Sequence, residues 1–460
     1  VADAQKRVPP VYDWVAGVVI LLPLVLLAQL WSSLPVFSDS WYHLGVVRAF
    51  AERGVTLHDW WQFAPFGRPH LYSPLFHLVN LALLRSTSLN LLDLTRLYAV
   101  VTFPVLLAAG WWAARLWFGP RVALLTVLLL ALNIGLLIPC SLIMMPGTSA
   151  VALWPFVLIL VQRQRGVWAG LLLAVIGYLH FGMAGLAAGS LLLLAMFDRQ
   201  CRRPTLVAVV IGVVLFSPWL AHLVRHREFL QASMGRFPVF LPVFTLLGAA
   251  LGVVAFCRHR EKEPVAIAAM ILASGVLLLT AQDRFWTYSG FTFALLGGYG
   301  IDRCLGRYVH AALVLLLVSA VSVTPFLRPV RHRFALPVPV QTTPGVLGTP
   351  LLTLAWWQQP DVAAQIPSGM TPDLMNLAVW VHGHVPKDEV LLTTDPLLGG
   401  SLFVLTGRRT TAGLWGEVMT EQLRKQVAEY YRTAPGYVIL TTLAPEPVAA
   451  FGRYTVLRRP

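Results

Sequence analysis

The residues best equipped for chemistry lie between two long apolar segments near the start of the chain. Ser38-Asp39-Ser40-Trp41-Tyr42-His43 is followed by Pro65-Phe66-Gly67-Arg68-Pro69-His70-Leu71-Tyr72-Ser73-Pro74. Asp39 and His43 stand four residues apart, a helical spacing that puts both on one face, where a carboxylate can orient an imidazole or raise its basicity. Asp39 also suits the N-cap of a helix opening at Trp41, and the two roles are compatible. In the second run Gly67 and Pro69 mark a turn. Arg68 offers a fork that fits a phosphate, and His70 and Tyr72 offer donors and acceptors for sugar hydroxyls. A packed loop with an aromatic anchor would use the same residue types.

Further candidates are scattered. Arg225, Arg227, Arg236 and Arg284 lie in loops where cations meet either phosphate or anionic lipid head groups. Arg284 stands out, because Gln282-Asp283-Arg284-Phe285-Trp286-Thr287-Tyr288 sits at the mouth of an apolar helix and adds Tyr288 to the set. His180 and Tyr178 end another apolar stretch, where a lone histidine is usually structural.

The elements that must position these residues are set by composition. Of 460 residues 57% are hydrophobic and only 12% charged, and the mean hydropathy is +0.69, which describes a chain living mostly in lipid. Apolar stretches at 12–34, 93–118, 121–139, 149–162, 166–179, 183–197, 205–222, 238–257, 264–281, 288–304 and 308–325 predict about eleven transmembrane helices. The charge of +14 is dispersed in singles and pairs, which argues against nucleic acid and for topology signals. Alternate loops carry Lys6 and Arg7, Arg115 and Arg121, Arg163 and Arg165, Arg199, Arg202 and Arg203, Arg258, Arg260 and Lys262, and Arg303 and Arg307. By the positive-inside rule those loops and the N-terminus face the cytoplasm, and everything after about residue 326 lies outside. The first apolar run is long and lacks a small-residue cleavage site, so it reads as an uncleaved helix. The chemistry-bearing residues then gather on the outer side.

Within the first outer loop, 41–53 predicts an amphipathic helix with Trp41, Leu44, Val47 and Phe50 on one face and Gly54 closing it. A second apolar stretch at 71–84, opened by Pro74, is too short to span comfortably. The expected domains are a transmembrane domain at 1–325 with the catalytic first outer loop at 35–92, a Pro-rich linker at 326–370, and a small exoplasmic α/β domain at 371–460. In the last, helices are expected at 371–382 and 420–431 and strands at 390–394, 437–441 and 454–457. Four widely spaced cysteines support neither a disulfide framework nor a zinc site.

Several chemistries lack their signatures. There is no Walker A sequence, dinucleotide fingerprint, HExxH or GxSxG elbow. Nor is there a chain of acids at mid-membrane of the kind proton-coupled transporters use.

Asp39-Ser40-Trp41-Tyr42-His43, the Pro65-Phe66-Gly67-Arg68 turn and Tyr72-Ser73-Pro74-Leu75-Phe76 together resemble the first outer loop of the GT-C superfamily of polyprenyl-phosphate-dependent glycosyltransferases. The similarity is greatest to archaeal-type oligosaccharyltransferase catalytic subunits, and Thr406-Gly407-Arg408-Arg409-Thr410 resembles a strand-turn of their outer domain. The resemblance implies a GT-C-like polytopic α-helical fold, a polyprenyl-phosphate sugar donor, and a glycan, lipid or protein acceptor at the outer face of the cell membrane. It places Asp39 at the active centre and matches the helix mouth from Arg284 to Tyr288; from the residues themselves His43 is the second catalytic candidate, and Arg68, His70, Tyr72, His180, Arg236, Arg284 and Tyr288 are the candidates for substrate and phosphate. A divalent metal, Mg²⁺ or Mn²⁺, is left open, with Asp39 as its candidate ligand. Two departures stand against the pattern. The second outer acidic motif is replaced by Ser141-Leu142-Ile143-Met144-Met145-Pro146-Gly147. The Trp-Trp-Asp-Tyr-Gly acceptor motif has as its nearest counterparts Thr393-Thr394-Asp395-Pro396 and Trp356-Trp357-Gln358-Gln359. A non-catalytic partner subunit of the same fold and a lipid or glycan transporter are the alternative readings.

Overall fold

The computed structural model describes residues 11–29, 31, 38–133, 144–229, 243–259, 261–277, 282–321, 327–331, 337–341, 370–414, 419–442 and 444–460. A helix lies within each of the apolar stretches. They are α1 (Val11–Gln29), α4 (Leu91–Phe118), α5 (Pro120–Ala131), α6 (Pro146–Gln162), α7 (Gly166–Leu179), α8 (Phe181–Phe197), α9 (Arg202–Arg225), α10 (Val243–His259), α11 (Glu263–Ser274), α12 (Gln282–Leu305) and α13 (Val309–Val321). Val11–Gln29, Leu91–Phe118 and Arg199–Arg225 are long and apolar enough to cross a membrane, and most of the others are shorter apolar helices. On α1 the outward residues Trp14, Val18, Leu21 and Val25 recur every three or four positions, and α9 shows Leu206, Val210, Val213 and Val214 in the same way. Such stripes suit contact with hydrocarbon.

With no hydrophobic force between helices in lipid, close packing must hold the bundle together. Glycines permit it: a Cβ placed on Gly300 of α12 would lie 2.5 Å from the Cα of Gly252 on α10. Ion pairs tie the ends of helices that the sequence places inside. Arg115 grips both carboxylate oxygens of Asp13 at 3.0 and 2.9 Å, Arg303 meets Glu261 at 2.7 Å, and Arg121 binds Asp302.

Between α1 and α4 the chain builds a second core. Helix α2 (Ser38–Arg53) carries Asp39 in its first turn and ends at Gly54, whose left-handed φ of 82° lets its N–H reach the Phe50 carbonyl at 3.1 Å. The expected one-sided amphipathic helix is buried on almost every side. Tyr42, His43, Val46 and Ala49 are covered as completely as Trp41, Leu44, Val47 and Phe50, because the rest of the loop, α3 (Leu75–Ser86) and the C-terminal region pack around it. A two-residue ladder, β1 (His58–Asp59) against β2 (Arg68–Pro69), sets Asp59 directly opposite Arg68. The Pro-rich stretch contributes a hairpin, β3 (Leu327–Arg331) paired antiparallel with β4 (Pro337–Gln341); the linker from 342 to 369, with Trp356-Trp357, lies outside the described residues.

At the C-terminal end are α14 (Pro372–His384), α15 (Pro396–Thr406), α16 (Glu421–Thr433) and an antiparallel sheet ordered β5 (Gly436–Leu440), β7 (Tyr454–Arg459), β6 (Ala449–Phe451). The strand expected at 390–394 is reduced to two parallel bridges, Leu391 to Thr410 and Leu392 to Val438. Helix α15 was not foreseen, and Asp395, set against an acceptor motif by position, is its N-cap, accepting from the N–H groups of Leu397 and Leu398 at 2.9 and 3.1 Å. Thr406, expected in a strand-turn, ends α15 before Gly407 turns the chain at φ 74°. This region is joined tightly to the first outer loop. Trp61 stacks on Phe403 at 4.7 Å, Arg48 donates to the Val404 carbonyl at 2.6 Å, and Ala64 and Thr410 donate backbone N–H groups to Thr410 and Trp61 at 2.9 and 3.0 Å.

Candidate active site

Asp59 is the centre of the first loop's polar interior, a role no spacing in the sequence announced. It is 3% exposed, and the β1–β2 ladder that buries it also delivers its partners. Its carboxylate accepts from Gln62 Nε2 at 2.9 Å, pairs with His70 Nδ1 at 2.9 Å, accepts from Tyr42 Oη at 3.2 Å and lies 3.6 Å from Arg68 Nε. Burial pushes its pKa up. The charge and hydrogen bond of His70, with Arg68 and Gln62, outweigh that push and hold the carboxyl below its ordinary value. Burial, reinforced by Asp59, pushes the Tyr42 phenol well above its usual range, so Tyr42 remains a hydrogen-bond donor.

These contacts give the surroundings of three residues singled out from the sequence. Arg68, expected on a phosphate, is 3% exposed and spends Nη2 on the Leu414 carbonyl at 3.0 Å while its guanidinium covers the Phe63 ring at 4.9 Å. His70, expected on sugar hydroxyls, is buried against Asp59, and its own carbonyl accepts from His222 Nε2 at 2.9 Å. His43, expected to work beside Asp39, is 1% exposed and hydrogen-bonds to His77 Nε2 through Nδ1 at 2.9 Å. Burial, then His70 and His180, lower its pKa to about 3, so the imidazole is neutral and a very weak base near pH 7. All three residues hold the loop together from within.

The start of α2 faces a different group. Ser40 Oγ, adjacent to Asp39, accepts from the Met144 N–H at 2.9 Å, which fastens the residues just before α6 to the first turn of α2. Three residues on, Gly147 lies in the opening turn of α6 without a Cβ because there is no room for one. The atom would stand 2.7 Å from Tyr288 Oη and 3.6 Å from His180 Nε2. His180 caps α8, its Nδ1 accepting the Met183 N–H at 3.2 Å, which leaves the ring proton on Nε2. Tyr72 packs its ring edge-on to His180 at 6.0 Å. Thus Tyr288 and His180, two of the residues singled out from sequence, meet beside Gly147, and a third, Tyr72, packs on His180. Arg284 stands one helical turn before Tyr288 on α12, with its side chain outside the described residues; Arg236 lies outside them altogether.

No metal centre is evident among the described residues. No group of three or more histidines, cysteines or carboxylates there is arranged to hold an ion, and His43 and His77 are hydrogen-bonded to each other. No step below is routed through a metal.

The overall fold has counterparts among solved structures. It is similar to the Archaeoglobus fulgidus oligosaccharyltransferase solved with zinc and sulfate, with a TM-score of 0.63 at 12% identity over 92% of this chain and 67% of that one. The same enzyme, AglB, solved with an inhibitory peptide and a dolichol-phosphate, gives 0.63 at 11% identity over 93% and 69%. ArnT from Cupriavidus metallidurans bound to undecaprenyl phosphate gives 0.60 at 16% identity and covers 97% of each chain. No protein-family model matches the chain, and no curated protein matches it by sequence.

Proposed function

We propose that this protein is an integral-membrane glycosyltransferase that moves a sugar from a polyprenyl-phosphate donor to an acceptor hydroxyl or similar nucleophile at the outer face of the membrane. The reading rests on one observation above the others. Within a GT-C fold, the turn of α2 that bears Asp39 is fastened to the Met144–Gly147 segment, where Tyr288, His180 and Tyr72 gather. The fold's likeness to proteins solved with dolichol-phosphate and undecaprenyl phosphate supports the donor class.

In the proposed reaction the acceptor oxygen attacks the anomeric carbon, the bond from that carbon to the phosphate oxygen breaks, and Asp39 takes the acceptor's proton. The departing polyprenyl phosphate is met by the His180 Nε2–H and the Tyr288 hydroxyl, with Arg284 as the cation one turn away. A single displacement inverts the configuration at the anomeric carbon. The N-terminus is cytoplasmic and the region after 370 exoplasmic in this reading, as the distribution of basic loops supports.

Replacing Asp39 with Asn tests it. In membranes containing the full chain, transfer of label from tritiated undecaprenyl-phosphate-linked sugars should fall by about 100-fold or more, the range expected for loss of a general base. Undiminished transfer by Asp39→Asn would remove Asp39 from the chemistry.

A further inference from the structure

We infer that Asp59 is a positioning residue of the active centre and that Arg68 extends its hold to the C-terminal region, so that the helix bearing Asp39 is aimed from residues 410–414. The inference rests on the glycosyltransferase reading above.

Asp39 belongs to the first turn of α2, and Tyr42 is the side chain one turn further along the same helix. Its hydroxyl donates to Asp59 Oδ2 at 3.2 Å and lies 3.3 Å from His70 Nδ1. Asp59 is in turn held by Arg68 and Gln62, and both of these are backed by C-terminal residues. Arg68 Nη2 donates to the Leu414 carbonyl at 3.0 Å. Gln62 rests so closely on Gly413 that a Cβ there would come within 2.5 Å of its Oε1. Thr410 donates its N–H to the Trp61 carbonyl and receives that of Ala64, so the backbone flanking Gln62 is pinned from the same segment. The linkage therefore runs from the Leu414 carbonyl through Arg68, Asp59 and Tyr42 to α2, and these three residues are each only 3% exposed.

Such a linkage sets the rotation of α2 about its own axis. A side-chain head about 5–6 Å from a helix axis moves about 1 Å for a rotation of roughly 10°. A misplacement of about 1 Å at a reacting group can cost about 100-fold in rate. A residue that holds the angle is thus felt in turnover without touching substrate.

The test uses Tyr42→Phe, which removes one oxygen, and Arg68→Lys, which keeps the charge but loses the fork that spans Asp59 and Leu414. Asp59→Asn serves as a third variant where it folds. Full-length protein in membrane vesicles is supplied with a panel of tritiated undecaprenyl-phosphate-linked hexoses and pentoses, and label release gives turnover and the apparent KM for donor. Each folded variant should lose about 10- to 100-fold in turnover with the donor KM changed less than about threefold, the pattern of an interaction felt in the transition state. Undecaprenyl phosphate binding and the melting temperature of Tyr42→Phe should stay near those of the unaltered chain. Wild-type turnover in Tyr42→Phe and Arg68→Lys, or a loss carried wholly by KM, overturns the inference. Asp39→Asn is measured alongside. If it is inactive while Tyr42→Phe is normal, only the positioning role falls; if it turns over normally, both readings fall.

Discussion

Lowering the pH should loosen the first outer loop well before its carboxylates titrate, and the His43–His77 pair is the reason. His43 is fully enclosed, and burial together with His70 and His180 lowers its pKa to about 3; burial and His43 depress that of His77 as well. In the unfolded chain a histidine titrates near 6.5. Because the folded value is the lower one, the unfolded state binds protons more readily, so stability falls as the pH drops below about 6.5 and goes on falling toward about 3. At pH 5 the His43 contribution alone is about 1.5 units times 1.4 kcal/mol, or roughly 2 kcal/mol of lost stability. Asp59 does not act in this window. Its folded pKa is depressed, so its contribution is complete above the unfolded carboxyl value of about 4 and is lost only as the pH falls through the lower folded one. The assay is thermal unfolding of the full chain in detergent, followed by tryptophan fluorescence between pH 7.5 and 5, with His43→Asn in parallel to separate its share from other histidines. The unaltered protein should lose more stability on acidification than the variant. Equal pH dependence in the two would refute the buried, neutral His43.

Two further outcomes follow from particular contacts. Gly147→Ala places a methyl 2.7 Å from Tyr288 Oη, an overpacking that costs about 1–3 kcal/mol; it should weaken undecaprenyl phosphate binding by about tenfold or more, measured by titration in detergent, while the C-terminal region keeps its protease resistance. Asp395→Ala removes the cap of α15, so that region should lose about 1 kcal/mol in hydrogen exchange, with transfer activity unchanged, as befits a capping residue rather than an acceptor-binding one.

Much of the membrane part was legible because bilayer thickness forces long apolar runs, and each such run holds a helix. The end of α2 was legible from the glycine at its close, whereas its start was not: the helix expected to open at Trp41 begins at Ser38, with Asp39 inside its first turn rather than capping it. Helix α15 was missed because Leu397 to Thr406 is apolar and carries two glycines, which masks helical periodicity; the Asp395-Pro396 pair was the cap signal that would have found it. The site divided in the same way. His180 and Tyr288 were chosen at helix mouths and Tyr72 in the run after the Gly67 turn; Tyr288 and His180 both stand beside Gly147, and Tyr72 packs edge-on to His180. Asp59 was passed over because Tyr42, Gln62, Arg68 and His70 reach it from separate turns of the loop, and its register opposite Arg68 exists only once the β1–β2 ladder forms. The hydrogen bond of His43 was hidden for a related reason. Helical spacing pointed to Asp39, whereas its hydrogen bond is to His77, 34 residues away.

The central claim is tested most directly by following both products. Purified full-length protein is reconstituted in vesicles with undecaprenyl-phosphate-linked sugars and extracted cell-envelope glycolipids as acceptors, and the lipids and glycans are analysed by mass spectrometry. A glycosyltransferase yields free undecaprenyl phosphate and, in equal amount, acceptor heavier by one sugar residue with inverted anomeric configuration. Intact donor that is bound or carried across the bilayer, with no new glycosidic bond, would contradict the account.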